Sequence, residues 1–240
     1  MIHYVRLPLE GTTNTRDLGG YSTKDGHSTK WHAFLRSDDL YDLSLSDKKF
    51  LEDYGLKTII DLRSSEELKH RPSPYLNHPH VNYHNVSLFE NASPLVIDTL
   101  PMDALKSMYI EMMLSRQDRI KEVLTLIANA KEGTILFHCA AGKDRTGVIS
   151  MLLLGLVKVP NRDIVSNYEV SFTNLRRSPY FKQRKDNITH LMYSNNSYME
   201  ETLEYIRDHY QTIESYIRSI GCDDELILKI KQRFISQENI

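Results

Sequence analysis

The chain has 240 residues, 40% of them hydrophobic and 26% charged, a globular balance that excludes a collagen, an extended disordered chain or a membrane-spanning bundle. At roughly 150 residues per domain it reads as a single domain over 1–240, with 171–240 as a helical C-terminal extension. Thirty Lys and Arg against 32 Asp and Glu leave a formal charge of −2, so no overall field draws nucleic acid or anionic lipid, and an anion site must be built locally.

The only cysteines are Cys139 and Cys222, too few for a disulfide framework or a thiolate zinc cluster. A reducing, cytoplasmic setting fits. Met1 to Glu10 shows no basic stretch followed by an apolar run, so no classical secretion signal is expected; secretion by a non-classical route stays open. No integral membrane segment is expected either, because the longest apolar run, Val148 to Val157, is interrupted by Ser150 and Gly155 and falls short of the roughly 18 residues a span needs.

In chain order, Ser46 reads as the N-cap of a short helix that stops at Gly55, after which Leu56 to Leu62 enters a first strand. His78, His80 and His84 have a spacing metal sites can use, but Pro79 interrupts it and no acidic or cysteine partner is near, so a surface loop is the better reading. Val86 to Pro101 is irregular. Met102, Met108, Met112 and Met113 with Tyr109 lie at near-helical spacing, favouring core packing over an apolar lid. Arg119 to Ala130 places Ile120, Val123, Leu124 and Ile127 on one stripe of an amphipathic helix. Thr134 to Phe137 follows as a second strand. Both strands are unalternated, as in parallel strands covered on both faces. Ser171 to Asn196 is polar and contains Pro179, a loop or a lid. Helical period returns over Tyr198 to Ile217 and again over Asp223 to Phe234. The order of helices and strands predicts an α/β fold, a central mostly parallel sheet flanked by helices.

The string His138-Cys139-Ala140-Ala141-Gly142-Lys143-Asp144-Arg145-Thr146-Gly147 joins the second strand to the next helix, where backbone N–H groups and the helix dipole favour an anion. Five residues separate Cys139 from Arg145. A loop folded around a tetrahedral anion can then set the sulfur beneath it while the guanidinium grips two oxygens. A free thiol titrates at about 8.5 and only the thiolate attacks; the helix N-terminus, the loop amides, Lys143, Arg145 and the Thr146 hydroxyl all favour negative charge at Cys139.

This string resembles the Cys-x5-Arg phosphatase superfamily, in the HCxxGKDRTG form of bacterial tyrosine and phosphoinositide phosphatases. Upstream, Asn14-Thr15-Arg16-Asp17-Leu18-Gly19-Gly20-Tyr21, Arg36-Ser37-Asp38, and Asp61-Leu62-Arg63-Ser64 with Glu66 resemble further elements of that group. The resemblance implies Cys139 as nucleophile, Arg145 as phosphate clamp, Thr146 as the hydroxyl easing thiolate departure, and a phosphate cradle over Ala140, Ala141, Gly142, Lys143, Asp144, Arg145 and Thr146. His138 would brace the loop. The proton for the leaving oxygen has three candidate donors: Asp144, inside the loop and slightly favoured, as in myotubularin-type phosphatases; Asp61, at a parallel strand's end; and Glu90, where tyrosine phosphatases carry a mobile acid loop. Lys143 reads equally as a rim charge for a polyanionic substrate or as a solvated lysine. Arg16, Asp17 and Arg36, with Arg63 similar, read as a structural ion-pair hub under the site.

The expectation is two-step hydrolysis of a phosphate monoester through a cysteinyl phosphate, with phosphotyrosine on a protein as leading substrate and a phosphoinositide as runner-up. From a different class comes a module that binds a phosphorylated partner without turnover. No cofactor or metal is implied, no nucleic-acid partner is expected, and the oligomeric state stays open.

Overall fold

The computed structural model describes residues 2–89, 104–178 and 193–236. Its sheet contains β1 (Arg16–Asp17), β2 (Phe34–Ser37), β3 (Leu56–Asp61), β4 (Asn82–Asn85) and β5 (Thr134–His138), in spatial order β1-β2-β5-β3-β4. All are parallel except β1, which runs antiparallel to β2 at one edge. The chain therefore inserts its last strand, β5, between β2 and β3. Chain connections diverge there, the place where α/β sheets gather ligands. The register levels the three strand ends, pairing Ser37 with His138 and His138 with Asp61.

Both sheet faces are covered, which explains the unalternated apolar runs. Phe34, Ile60, Ile135 and Phe137 enter the larger core, while Leu35, Ile59 and Leu136 enter a smaller one with Leu7, Leu9 and Tyr75. Leu51 of α1 (Leu45–Asp53) closes the smaller core. The larger core is roofed by α3 (Ala104–Ser115), α4 (Gln117–Asn129), α5 (Asp144–Leu156), α6 (Asn161–Leu175), α7 (Asn196–Tyr210), α8 (Ile213–Ser219) and α9 (Asp224–Phe234); α2 (Ser65–His70) follows β3. α4 buries Ile120, Val123, Leu124 and Ile127, the stripe its sequence period defines. α5 is buried along most of its length, and each of its fully enclosed leucines contributes about 2 kcal/mol of burial. The C-terminal helices pack into this core, α9 against α4 and α7 against α3 and α6.

Several boundaries differ from the sequence reading. Ser44, not Ser46, caps α1, because a capping box needs an acidic group three residues on and only Ser44 has one, Asp47. Asp47 also accepts from the backbone N–H groups of Glu10 and Gly11 at 2.9 and 2.8 Å, stapling the N-terminal segment to α1. The helix expected over Tyr198 to Ile217 is two, since Gln211 takes φ 64° and Thr212 caps α8 by accepting from Ser215 N–H. Ser171 to Asn196 is not loop throughout: α6 continues to Leu175 with Ser171 and Asn174 buried. Residues 179–192, and 90–101 of the irregular Val86 to Pro101 stretch, lie outside the described residues, as do Glu90 and Met102. Tyr109, Met112 and Met113 are core residues. His78 pairs with Glu52 at 3.3 Å beside Tyr75, and His84 lies in β4. Among the described residues no helix is long and apolar enough to cross a membrane.

Candidate active site

The segment from Cys139 to Lys143 connects β5 to α5 at the switch point, and the carbonyls of Ala140, Ala141 and Gly142 are tied outward. Asp39 N–H donates to Ala140 O at 3.0 Å, Asn14 Nδ2 donates to Ala141 O and Gly142 O at 3.0 and 3.2 Å, and an Arg36 Nη donates to Gly142 O at 2.7 Å. A trans peptide points its N–H opposite to its C=O, so the amides of Ala141, Gly142 and Lys143 turn away from these anchors, into the loop. Gly142 has φ +64°, and a Cβ there would lie 2.4 Å from Ser37 O. The loop thus rests directly on the end of β2. Below it, α5 has no side-chain cap at its N-terminus, leaving its first N–H groups open to an anion.

Cys139 is 2% exposed at the base of this loop. Arg145, the second residue of α5, is gripped by Glu67: Nη1 donates to Oε2 at 2.6 Å and Nη2 to Oε1 at 2.8 Å. Burial opposes the guanidinium charge, but Cys139 and Glu67 outweigh it and hold Arg145 above its ordinary range. Glu67 also accepts from Ser64 N–H while the Ser64 hydroxyl accepts from Glu67 N–H, the capping box of α2. The acidic partner of the Asp61-Leu62-Arg63-Ser64 element is therefore Glu67, not Glu66, which is exposed and pairs with Lys69 and His70. The signal that finds it is the Ser-x-x-Glu spacing of a capping box.

The remaining titratable groups form two clusters. Asp61, fully buried, accepts from Arg63 Nη2 at 2.7 Å and from Tyr83 Oη at 2.9 Å, and its Oδ2 lies 3.3 Å from His138 Nε2. Burial disfavours its charge, but His138 and Arg63 prevail and hold the carboxyl far below the usual range. Nδ1 of His138 sits 3.2 Å from Cys139 O, so the cluster reaches the loop through the imidazole. The second cluster centres on Asp144, whose Oδ1 accepts from Tyr109 Oη and lies 2.7 Å from Lys143 Nζ. Tyr109 Oη is in turn 2.7 Å from Tyr168 Oη. The Asp144 side chain keeps 25% of its surface exposed, against 0% for Asp61. Lys143 is neither a rim charge nor solvated: it is 1% exposed, paired with Asp144, and donates to Tyr193 O at 3.3 Å. Burial opposes its charge, yet Asp144 and Tyr168 hold the ammonium above its ordinary value. The Thr146 hydroxyl is buried without a hydrogen-bond partner among the described residues.

Arg16, Asp17 and Arg36 do not form the expected ion-pair hub. Successive residues of β1 point to opposite faces. Asp17 therefore accepts from Gly19 N–H, His32 N–H and Tyr54 Oη, whereas Arg16 turns under the loop to Asn167 O and Ser171 Oγ. Arg63 is ion-paired, to Asp61 and to Asp39 at 3.1 Å. Asn14, Glu67, Tyr109 and Asn167 are the site residues that motif reading passed over or gave another role.

A buried thiol under an amide-lined loop, faced by a clamped arginine at the sixth position, on a parallel sheet, defines the class of cysteine-dependent phosphatases. The chain belongs to the tyrosine phosphatase family, whose model matches residues 7–236, and it is a phosphatase of that type. It is 31% identical over 217 residues to a tyrosine-protein phosphatase of Nostoc commune, covering 84% of this chain and 74% of that protein. Among solved structures it is similar to P. aeruginosa TpbA, crystallised with pTyr, at 10% identity and a TM-score of 0.37, over 79% of this chain and 86% of that one.

Proposed function

We propose that this protein hydrolyses phosphotyrosine on protein substrates through a cysteinyl phosphate formed on Cys139. The observation that carries the reading is the outward tethering of the Ala140, Ala141 and Gly142 carbonyls, which commits the loop amides to a tetrahedral oxyanion before any substrate arrives. In the first step the thiolate of Cys139 attacks phosphorus, the P–O bond to the tyrosyl oxygen breaks, and Asp144, having exchanged its hold on Lys143 Nζ for a proton as substrate enters, delivers that proton to the tyrosyl oxygen. In the second, Asp144 as carboxylate takes a proton from water, the water oxygen bonds to phosphorus, and the P–S bond breaks, returning the Cys139 thiolate and inorganic phosphate. Arg145, fixed by Glu67, binds two equatorial oxygens in both steps, and the Thr146 hydroxyl, without a partner among the described residues, turns to donate to the departing sulfur. Asp61 is spent on Arg63, Tyr83 and His138, so its part is to hold His138 under the loop.

Phosphotyrosine is favoured over shorter phosphoesters because a thiol only 2% exposed needs a long substrate side chain to reach it. The phosphoinositide alternative draws on Lys143 and on the Gly-Lys-Asp-Arg form of the loop; its first ground weakens because that ammonium is committed to Asp144. A cytoplasmic location belongs to the same reading, since a thiol nucleophile needs a reducing compartment. The test is phosphate release from a panel of phosphotyrosine peptides and phosphoinositides, compared by kcat/KM. Phosphotyrosine peptides should lead and Cys139→Ser should lose turnover. Full turnover by that variant defeats the mechanism, preference for phosphoinositides defeats the substrate assignment, and tight phosphopeptide binding without release makes the chain a binding module.

A further inference from the structure

Beneath the loop lie two guanidinium groups with no carboxylate in contact among the described residues. Arg16 is 2% exposed and Arg36 fully buried. Arg36 donates to Asn167 Oδ1 at 2.6 Å and to Gly142 O at 2.7 Å. Arg16 donates to Asn167 O at 2.9 Å, Ser171 Oγ at 3.1 Å and both oxygens of Asn14. Every acceptor is neutral, and the Nε of each arginine has no partner among the described residues. A buried arginine normally carries a carboxylate with it, because desolvating an unpaired charge is costly.

The other cations around the loop are already neutralised: Arg145 by Glu67, Lys143 by Asp144, Arg63 by Asp61 and Asp39. The groups that face Arg16 and Arg36 are Tyr21, Tyr109, Tyr168, Arg6, Asp38 and Cys139. Asp38 makes its hydrogen bonds to Thr13 and Asn14 instead, and burial pushes its carboxyl toward the neutral form. Even with Asp38 ionised and Cys139 present as thiolate, neither anion is in contact with either guanidinium, whose hydrogen bonds all go to neutral oxygens. The charge of Arg36 lies against the peptide of Gly142, on the far side of which the oxyanion would sit.

We propose that Arg36, backed by Arg16, is a positioning residue whose charge, held without a carboxylate in contact, gains an anionic partner across the Gly142 peptide when a phosphoryl dianion occupies the loop. The inference rests on the loop's being a phosphoryl site. It makes Asn167 a neutral spacer whose amide has to stay uncharged: an isosteric carboxylate there would neutralise Arg36 in the empty protein and remove its pull on the ligand.

Calorimetric titration of the full chain with inorganic phosphate tests this. Asn167→Asp should weaken phosphate binding on the order of tenfold. Asn167→Ser, which removes the same hydrogen bond without adding charge, should lose about threefold or less, a neutral bond being worth about 0.6 kcal/mol at that ratio. Unchanged affinity in Asn167→Asp, or equal losses in the two variants, overturns the proposal. Where Asn167→Asp does not fold, the pair Arg36→Lys and Arg36→Gln decides: the lysine, keeping the charge, should bind phosphate more tightly than the glutamine, and equal affinities overturn the idea. A wild-type chain that neither binds phosphate nor releases it from an aryl ester would instead sink the phosphoryl-site reading itself, and this inference with it.

Discussion

Glu67 holds Arg145 through both carboxylate oxygens, at 2.6 and 2.8 Å, while the same carboxylate closes the capping box of α2 with Ser64. One side chain thereby couples the position of a helix after β3 to the orientation of a guanidinium on α5. Glu67→Gln keeps a capping acceptor but breaks the fork. We expect kcat/KM on an aryl phosphate to fall about 10- to 100-fold, because Arg145 is then no longer pre-aimed at the equatorial oxygens, with a smaller effect on Tm. An unchanged kcat/KM would show that Arg145 orients without its partner.

Asp61 offers a pH test with a defined sign. Its folded carboxyl lies far below the usual range, against burial, through His138 and Arg63. A depressed folded value contributes stability that is fully present above the unfolded value, about 3.9, and is lost as pH falls through the folded one. Between neutrality and about pH 5 this contribution should be flat; below about pH 4 it should decline. Asp61→Asn should cost about 3 kcal/mol at pH 7, because it leaves the Arg63 guanidinium short of a buried partner, and its stability should fall less steeply in acid. Urea unfolding of both proteins across pH 3 to 7 checks this; parallel curves would contradict it.

The two central strands and the α4 stripe were readable because burial on both sheet faces, or on one helix face, imposes a simple pattern on the sequence. The Cys139 to Arg145 loop was readable because phosphate chemistry fixes residue types at fixed spacing. What pattern reading missed depends on direction and long-range contact. Arg16 and Asp17 are neighbours in the chain, yet a strand sends them to opposite faces, so an ion-pair hub was the wrong expectation. Glu66 and Glu67 are equally acidic, and only the helix N-terminus at Ser64 distinguishes the one that reaches Arg145. Tyr109 was legible as a core aromatic on α3, but its hydroxyl contact with Asp144 spans 35 residues that no local period encodes.

That contact leads to a test of the proton donor. Asp144→Asn should reduce kcat for a phosphate ester with a poor leaving group by about 100-fold or more and for a nitrophenyl phosphate far less, as expected when a general acid is removed. Tyr109→Phe removes the hydroxyl that donates to Asp144 Oδ1 and should give a smaller loss in the same leaving-group-dependent direction. If Tyr109 acts through Asp144, the double variant should be no slower than Asp144→Asn alone. Additive losses would place Tyr109 in a separate role.

Gly142 leaves the sequence little freedom. Its φ of +64° already disfavours any side chain with a Cβ, and that Cβ would meet Ser37 O at 2.4 Å and Asp38 N at 2.6 Å, backbone atoms at the exit of β2 that cannot rotate aside. Gly142→Ala must either shift the end of β2 or lift the loop off it, and lifting the loop breaks the bonds from Asn14 and Arg36 to Gly142 O. Either way the amides lose their shared aim. The expected outcome is loss of about 1–3 kcal/mol of stability from backbone strain, together with a fall in kcat/KM larger than Tm alone would suggest, since the oxyanion cradle is the part displaced. Circular dichroism melts and aryl phosphate hydrolysis on the same preparation separate the two effects. An alanine variant of wild-type activity would mean that the loop tolerates the displacement, and that the outward tethering of its carbonyls is not what aims its amides.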